Sequence, residues 1–170
     1  MIDLFKKNKL EKEFIERVNA SQGIIHRVCG MYCDNKEHRK DLFQEILIEL
    51  WKSYPSFRGE SKFSTWMYRV GLNIAIQDLR KTKKKIDRFE LLPNKVKHIA
   101  DEEKGGVLEE ETELLYKAID ELNKIEKAII MLHLEDKKNE EIAEIIGITQ
   151  NYVRVKMNRI KLKLKKILNQ

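Results

Sequence analysis

Two apolar stripes on a single helical stretch constrain this chain more than any other feature. Between Phe57 and Lys85 the sequence reads FRGESKFSTWMYRVGLNIAIQDLRKTKKK. From Phe63 onward Phe63, Met67, Val70 and Ile74 fall on one helical stripe, and Leu72, Ile76 and Leu79 on a second. A helix with two stripes must be covered from two sides, so the stretch is predicted to be the central helix of a three- or four-helix bundle. A loop with Arg58 and Gly59 precedes it, Ser61 is placed to cap it, and Arg80, Lys81, Lys83, Lys84 and Lys85 close it. Phe63, Trp66 and Tyr68 lie near these cations, a combination that suits stacking on unpaired bases and gripping their phosphates. Trp66 fits either the core or such a surface. Tyr68 and Arg69 lie off the main stripe and are expected to be exposed.

The rest of the chain must also be helical. Two prolines and seven glycines in 170 residues, short β-branched runs and few aromatics point to an all-α fold. Residues 1–8 are expected to fray. Over residues 9–32, Leu10, Phe14, Val18, Ile25, Val28 and Tyr32 keep helical spacing, with a weak turn at 21–23. Residues 34–36 read as a turn. A helix over 38–53 comes next, stopped by Pro55. Phe43, Leu47, Leu50 and Trp51 form its inner face, widened by Leu42 and Ile46. Its opposite face offers Asp41, Gln44, Glu45 and Glu49, either as a solvated face or as a docking face for a basic partner. Cys29 and Cys33 share one helix face near His26 and His38. Without a second CxxC or an HxxxH, two core thiols are a better reading than a zinc or redox site.

Charge is segregated. Residues 57–100 hold 11 basic and 4 acidic residues, 101–122 hold 2 and 9, and 145–170 hold 7 and none. Two basic segments flanking an acidic one look like two contact surfaces for a polyanion with a self-repelling spacer. No apolar run approaches the ~20 residues that span a bilayer, and the N-terminus lacks a signal-peptide core. A reducing, cytoplasmic setting is expected. Residues 86–107, with Pro93, Gly105 and Gly106, lose periodicity and are expected to be a flexible linker, with a short helix near 86–92.

Helical spacing returns from Leu108, at Leu115, Ala118, Ile119 and Leu122, and again over 123–134 at Ile125, Ala128, Ile129 and Leu132. Residues 139–146, a turn at Gly147 and Ile148, and a helix from Thr149 to about Leu168 make a helix-turn-helix. In the last helix Val153, Met157, Ile160, Leu164 and Ile167 face inward. Asn151, Arg154, Asn158, Lys161 and Lys165 form a polar stripe, and Lys156, Arg159, Lys163 and Lys166 a cationic flank. Early residues of such a helix reach base edges in the major groove, which selects Gln150, Asn151, Arg154 and Asn158. Arg and Asn suit guanine and adenine edges respectively. The flank would neutralise phosphates and set position without reading sequence.

Two of these stretches resemble the extracytoplasmic-function (ECF) class of bacterial sigma factors. DLFQEILIELWKSYPSFRGESKFSTWMYRVGLNIAIQDLRKTKKK, residues 41–85, is similar to the family's second region, roughly D-L-x-Q-E-x-F-x-x-x-W, F-R-G, F-x-T-W-L-Y-R-I-A-x-N and D-x-L-R followed by basic residues. EEIAEIIGITQNYVRVKMNRIKLKLKKIL, residues 140–168, resembles its fourth region. The resemblance implies two small helical domains, 1–85 and 108–170, joined by the 86–107 linker. It implies that Asp41, Gln44 and Glu45, with Leu50 and Trp51 behind them, dock on core RNA polymerase. It implies that Phe57, Arg58, Gly59, Lys62 and Phe63 belong to a loop capturing a flipped base of the minus-ten element, with Ser64, Thr65, Tyr68, Arg69 and Asn73 lining the melted strand. The minus-thirty-five element falls to Gln150, Asn151, Arg154, Val155, Lys156, Asn158 and Arg159. The implied partners are core polymerase, promoter DNA as duplex and melted strand, and an anti-sigma factor that could clamp the domains. No cofactor, metal, small-molecule substrate or catalytic residue is expected, and the protein is expected not to be an enzyme.

The sequence departs from the family pattern at three places. Lys137 and Lys138 replace a Leu-Ser pair, so Asn139 is expected to cap one residue later. Asn123 stands for a proline and is itself a suitable cap. Gly71 stands for an alanine, at about 1 kcal/mol of helix propensity. Three rival readings remain at this level: a dimeric helix-turn-helix regulator acting without polymerase, a metal protein or enzyme built on Cys29, Cys33, His26 and His38, and a sigma-like protein that binds polymerase only to regulate it.

Overall fold

The computed structural model describes residues 2–33, 35–89 and 107–169. Their regular structure is helical throughout: α1 (Ile2–Ser21), α2 (Gly23–Tyr32), α3 (Lys36–Ser53), a 3-10 turn (Tyr54–Ser56), α4 (Phe63–Phe89), α5 (Val107–Asp120), α6 (Lys124–Leu134), α7 (Asn139–Ile146) and α8 (Gln150–Leu168). The chain divides into two compact units, one built mainly from Met1–Arg80 and the other mainly from the chain beyond Arg80. Among the described residues no helix is long and apolar enough to cross a membrane.

In the first unit the core is Phe14, Val18, Ile25, Val28, Leu42, Ile46, Leu50, Met67, Leu72 and Ala75, all buried. The expected periodicity holds for α1 and α2, which break at Gln22, within the predicted weak turn. Helical backbone reaches back to Ile2, into the stretch expected to fray. Asn35 accepts from the Glu37 and His38 amides and starts α3 at Lys36, two residues early. Its inner face is centred on Leu42, Ile46 and Leu50, whereas Phe43, Leu47 and Trp51 are only half-buried. Cys29 and Cys33 are free, buried thiols. Burial and the neighbouring Cys33 push Cys29 up to about 12, against the pull of Arg39, which is how a core thiol behaves rather than a reactive one. Among the described residues no group of three or more His, Cys, Asp and Glu could hold a metal ion.

The core sector of α4 lies between the two expected stripes. Met67, Tyr68, Gly71, Leu72 and Ala75 are buried, while Phe63, Val70, Ile74 and Ile76 flank them half-buried. A methyl built at Gly71 would meet Ile46 and Val28 at 3.7 Å, so this face packs on α2 and α3. The first carbonyl used by α4 is that of Lys62, which accepts from the Trp66 amide at 3.1 Å. Ser61 therefore stands outside the cap position expected of it. The helix also runs on to Phe89, past the expected domain end at Lys85. Lys and Arg are good helix formers, and the first proline beyond is Pro93. The short separate helix near 86–92 is thus part of α4 as far as Phe89. The rest of the expected linker, 90–106, lies outside the described residues.

The second unit packs α8 against α5 and α6, around Ala118, Ile119, Leu122, Ala128, Ile129, Leu132, Ile142, Val153, Met157, Ile160 and Leu164. Asn123 forms a full capping box: its side chain accepts from the amides of Ile125 (3.1 Å) and Glu126 (3.0 Å), and Glu126 reaches back to its N–H. The cap of α7 differs from expectation. Ile142 donates to the Lys138 carbonyl at 3.0 Å, which makes Lys138 the cap residue and leaves Asn139 inside the helix. Lysine cannot accept, so Glu141 accepts the Lys138 N–H at 3.1 Å and supplies half a capping box. Gly147, at φ +78, makes the left-handed turn into α8, and Thr149 caps it by accepting from Tyr152 at 3.2 Å.

Candidate nucleic-acid interfaces

The loop before α4 stands on a cluster of six rings. Phe14 of α1 lies 5.0 Å from Trp51 and 5.1 Å from Tyr54. Tyr54 meets Phe63 and Trp66, each at 6.2 Å. Phe57 closes on Trp66 at 5.1 Å and on Phe63 at 5.6 Å. Such tilted and edge-on pairs suit the ring quadrupoles. Pro55 and the 3-10 turn bring the chain out of α3 onto this floor. Gly59, at φ +73 with open space around it, then turns the backbone outward. Arg58, Gly59, Glu60 and Lys62 are exposed above the rings, and Phe57, Phe63 and Trp66 are half-buried. Trp66 thus packs into the ring cluster while keeping part of its surface open.

Two α1 residues complete the site, and no motif in the sequence marks them. Arg17 lies over the Phe63 ring at 5.6 Å and pairs with Glu13 at 2.8 Å. Burial raises the Tyr54 hydroxyl above its ordinary pKa, and its hydrogen bond to Glu13 adds to this while Arg17 opposes it. Helical spacing assigns Glu13 and Arg17 to a solvated face. Only the fold brings them to the loop.

Along α4, Arg69 and Asn73 are exposed and Ser64 is half-exposed. Thr65 and Tyr68 correct the expectation. They are 6% and 2% exposed and lie below the surface expected to line a melted strand. Tyr68 sits three residues from Gly71, which at about 100° per residue leaves it about 60° from the centre of the packed face. On α3, Asp41, Gln44 and Glu45 are exposed with Leu50 buried behind them and Trp51 half-buried. Ile48, one turn further on, is 52% exposed. It is the one apolar residue of α3 that falls off the inner face expected from its stripe.

On α8, Gln150, Asn151, Arg154, Val155, Asn158 and Arg159 are all exposed. Arg154 donates to Asn151 at 2.8 Å and Gln150 to Glu140 at 3.3 Å, so the polar stripe is partly pre-ordered. The cationic flank splits. Lys163 donates to both oxygens of Glu126, at 2.8 and 3.0 Å, and Lys156 approaches the same carboxylate at 3.5 Å. Lys156 is therefore turned toward α6, contrary to its expected place on DNA. Burial pushes Glu126 up, but the Lys163 hydrogen bond, the Asn123 amide and the two lysine charges together hold it below its ordinary value.

Two helical units, one with a ring-floored loop and the other with a capped helix-turn-helix, define an all-helical DNA-binding protein. The sigma-70 region 2 family matches residues 18–85, and sigma-70 region 4 matches 112–164. RNA polymerase sigma factor SigV of Bacillus subtilis is 33% identical over 149 residues, covering 84% of this chain and 82% of that protein. The ECF RNA polymerase sigma-E factor of Escherichia coli K12 is 30% identical over 129 residues, 70% of this chain and 68% of its own. The fold is similar to that of the sigma factor RpoE of Bartonella quintana, solved with the anti-sigma factor NepR, at a TM-score of 0.74 and 18% identity over 93% of this chain and 98% of that one. The chain belongs to the ECF class of RNA polymerase sigma factors. It binds core RNA polymerase and directs promoter-specific transcription initiation. The family is not one of catalytic enzymes.

Proposed function

We propose that residues 1–85 form the half that docks on polymerase and opens the minus-ten element, that 86–107 link, and that 108–170 read the minus-thirty-five element. The ring-supported loop is the observation that carries the first assignment. Pulling a base from the stack costs a few kcal/mol, and stacking on aromatic rings at ~1–3 kcal/mol per base can offset it. Phe57 and Phe63 offer partly open rings, Arg58 and Lys62 offer phosphate contacts, and Ser64, Arg69 and Asn73 continue the surface along α4. Asp41, Gln44 and Glu45 form the docking face, and exposed Ile48 supports extending it by one turn.

In the second half Gln150, Asn151, Arg154 and Asn158 read base edges, with Val155 and Arg159 beside them. Arg154→Ala is expected to cost ~1–3 kcal/mol on the preferred sequence and to relax preference there. An equal loss on every sequence would make Arg154 a phosphate contact only. We take the protein to act in the cytoplasm and to catalyse nothing itself. The NepR-bound relative supports an anti-sigma partner for this chain as well. Run-off transcription from a pooled promoter library, with core polymerase alone and with the protein added, tests the whole reading. Starts downstream of a shared two-part motif are expected. Silent core polymerase together with a shift of duplex DNA would instead make the protein a helix-turn-helix regulator.

A further inference from the structure

Glu126 is the one acidic side chain among the described residues that is buried, and it is aimed at the DNA-reading helix from behind. Its side chain is 3% exposed and bonded to Lys163, beside Lys156, from two levels of one side of α8. The same carboxylate accepts the Asn123 N–H at 3.4 Å. A carboxylate fixed at a helix N-terminus by its own capping box cannot follow the lysines outward. Lys156 is only 19% exposed and its ammonium also lies 5.7 Å from the Tyr152 ring centre. Lys163 is 51% exposed yet makes both of the short bonds.

The geometry points to Glu126 as a specificity-determining positioning residue that withholds Lys156 and Lys163 from DNA phosphates. The inference rests on the proposal that α8 reads duplex DNA. Phosphate contacts strengthen binding to every sequence alike, whereas base contacts strengthen it to one. Tying two cations of the flank to a buried carboxylate lowers the sequence-independent part. It leaves Arg154, Asn151 and Asn158 on the outer side of the same helix untouched. Glu126 also fixes the rotation of α8 about its axis, because Lys156 and Lys163 are seven residues apart and hold the helix at two levels.

The test is holoenzyme assembled from core polymerase and the full chain, competed between a duplex with the preferred upstream element and a scrambled one at about 50–200 mM salt. Wild type, Glu126→Gln, Lys163→Gln and the double variant are compared. Each lysine freed onto a phosphate steepens the slope of log affinity against log salt by about 0.9, roughly a further 3-fold loss over this range. Glu126→Gln is expected to steepen it by one or two such steps and to lower the preferred-to-scrambled ratio. Lys163→Gln alone should leave the wild-type slope unchanged, and should take back one step in the Glu126→Gln background. An unchanged slope in Glu126→Gln, or a flatter one in Lys163→Gln alone, overturns the inference. The second arm uses a half-exposed lysine and stands even if Glu126→Gln folds poorly. A wild-type holoenzyme without preference for the upstream element would instead break the parent reading, and this inference with it.

Discussion

The two proposed contact surfaces are held in place by different physics. The loop before α4 rests on rings: Tyr54 alone touches Phe14, Phe57, Phe63 and Trp66. The helix α8 is held from behind by an apolar seam and, at its polar edge, by Glu126, Lys156 and Lys163. Ring packing responds little to salt or pH, since its driving force is burial and quadrupole contact. A charged bracket responds to both, the more so where one partner is half in water. On the proposed roles, a loop that receives an extruded base needs a floor that stays put, and a helix that discriminates among duplexes gains from having its charge adjusted.

The most damaging change is therefore expected in the first unit. Tyr54→Ala removes the hub of the ring cluster and should cost ~3–5 kcal/mol, the range for truncating buried large aromatics. Urea denaturation of the full chain measures it. A loss below about 1 kcal/mol, far under that range, would mean the rings merely line the loop. Binding to a single-stranded minus-ten oligonucleotide should fall with stability, whereas upstream duplex recognition should not.

A smaller loss, and one that depends on pH, is expected in the second unit. Glu126 is held below its ordinary carboxylate value in the folded chain. A group with a depressed folded pKa contributes stability above its unfolded pKa, and that contribution is lost as pH falls through the folded value. Wild type should therefore exceed Glu126→Gln in stability by a constant margin above about pH 4.5, the ordinary value. The margin should shrink as pH drops below it. Parallel stability curves from neutral pH down into the acid range, recorded by circular dichroism in urea, would show that the carboxylate's charge does not matter.

What could be read from the sequence divides along the same line. Periodicity located α2 and α6–α8 to within a residue or two, because each carries one apolar stripe and a clear stop. It misplaced the core of α4, because two stripes leave the sector between them undecided, and Tyr68 and Gly71 occupy it. Residues with a fixed offset from a cap, such as Arg154 and Asn158 after Thr149, were legible as surface positions and are exposed as expected. Those defined by tertiary approach were not. Arg17 lies 46 positions before the ring it covers, and Lys163 is 37 after the carboxylate that claims it. Nothing local in the chain marks a lysine as paired.

The caps sharpen the comparison at lower cost. Asn123→Ala removes the side-chain acceptor for two α6 amides but keeps the backbone N–H that Glu126 accepts. It should destabilise by ~1 kcal/mol, within the usual range of about 0.5–2 for a lost cap. It should leave the salt slope at its wild-type value, because Glu126 keeps the residue 123 N–H and its bonds to Lys163. A steeper slope would mean that the cap side chain also holds the charge bracket in place.

The smallest effect runs the other way and tests the first unit's indifference to charge. Gly71 has ordinary helical φ and sits in the packed face of α4, where helix propensity and packing usually conflict. Here they do not. An added methyl would meet Val28 and Ile46 side chains at 3.7 to 3.8 Å, which is contact without overlap. Gly71→Ala should then stabilise by ~0.5–1 kcal/mol, through restricted freedom of the unfolded chain and a few new dispersion contacts. The gain should be the same at low and high salt, because no charge takes part. A loss would mean that α4 must slide closer to α2 and α3 than this packing shows, and that the glycine is there for approach. A gain that vanished in salt would mean that charge contributes to the packing of α4 on α2 and α3, and would weaken the contrast between the two surfaces.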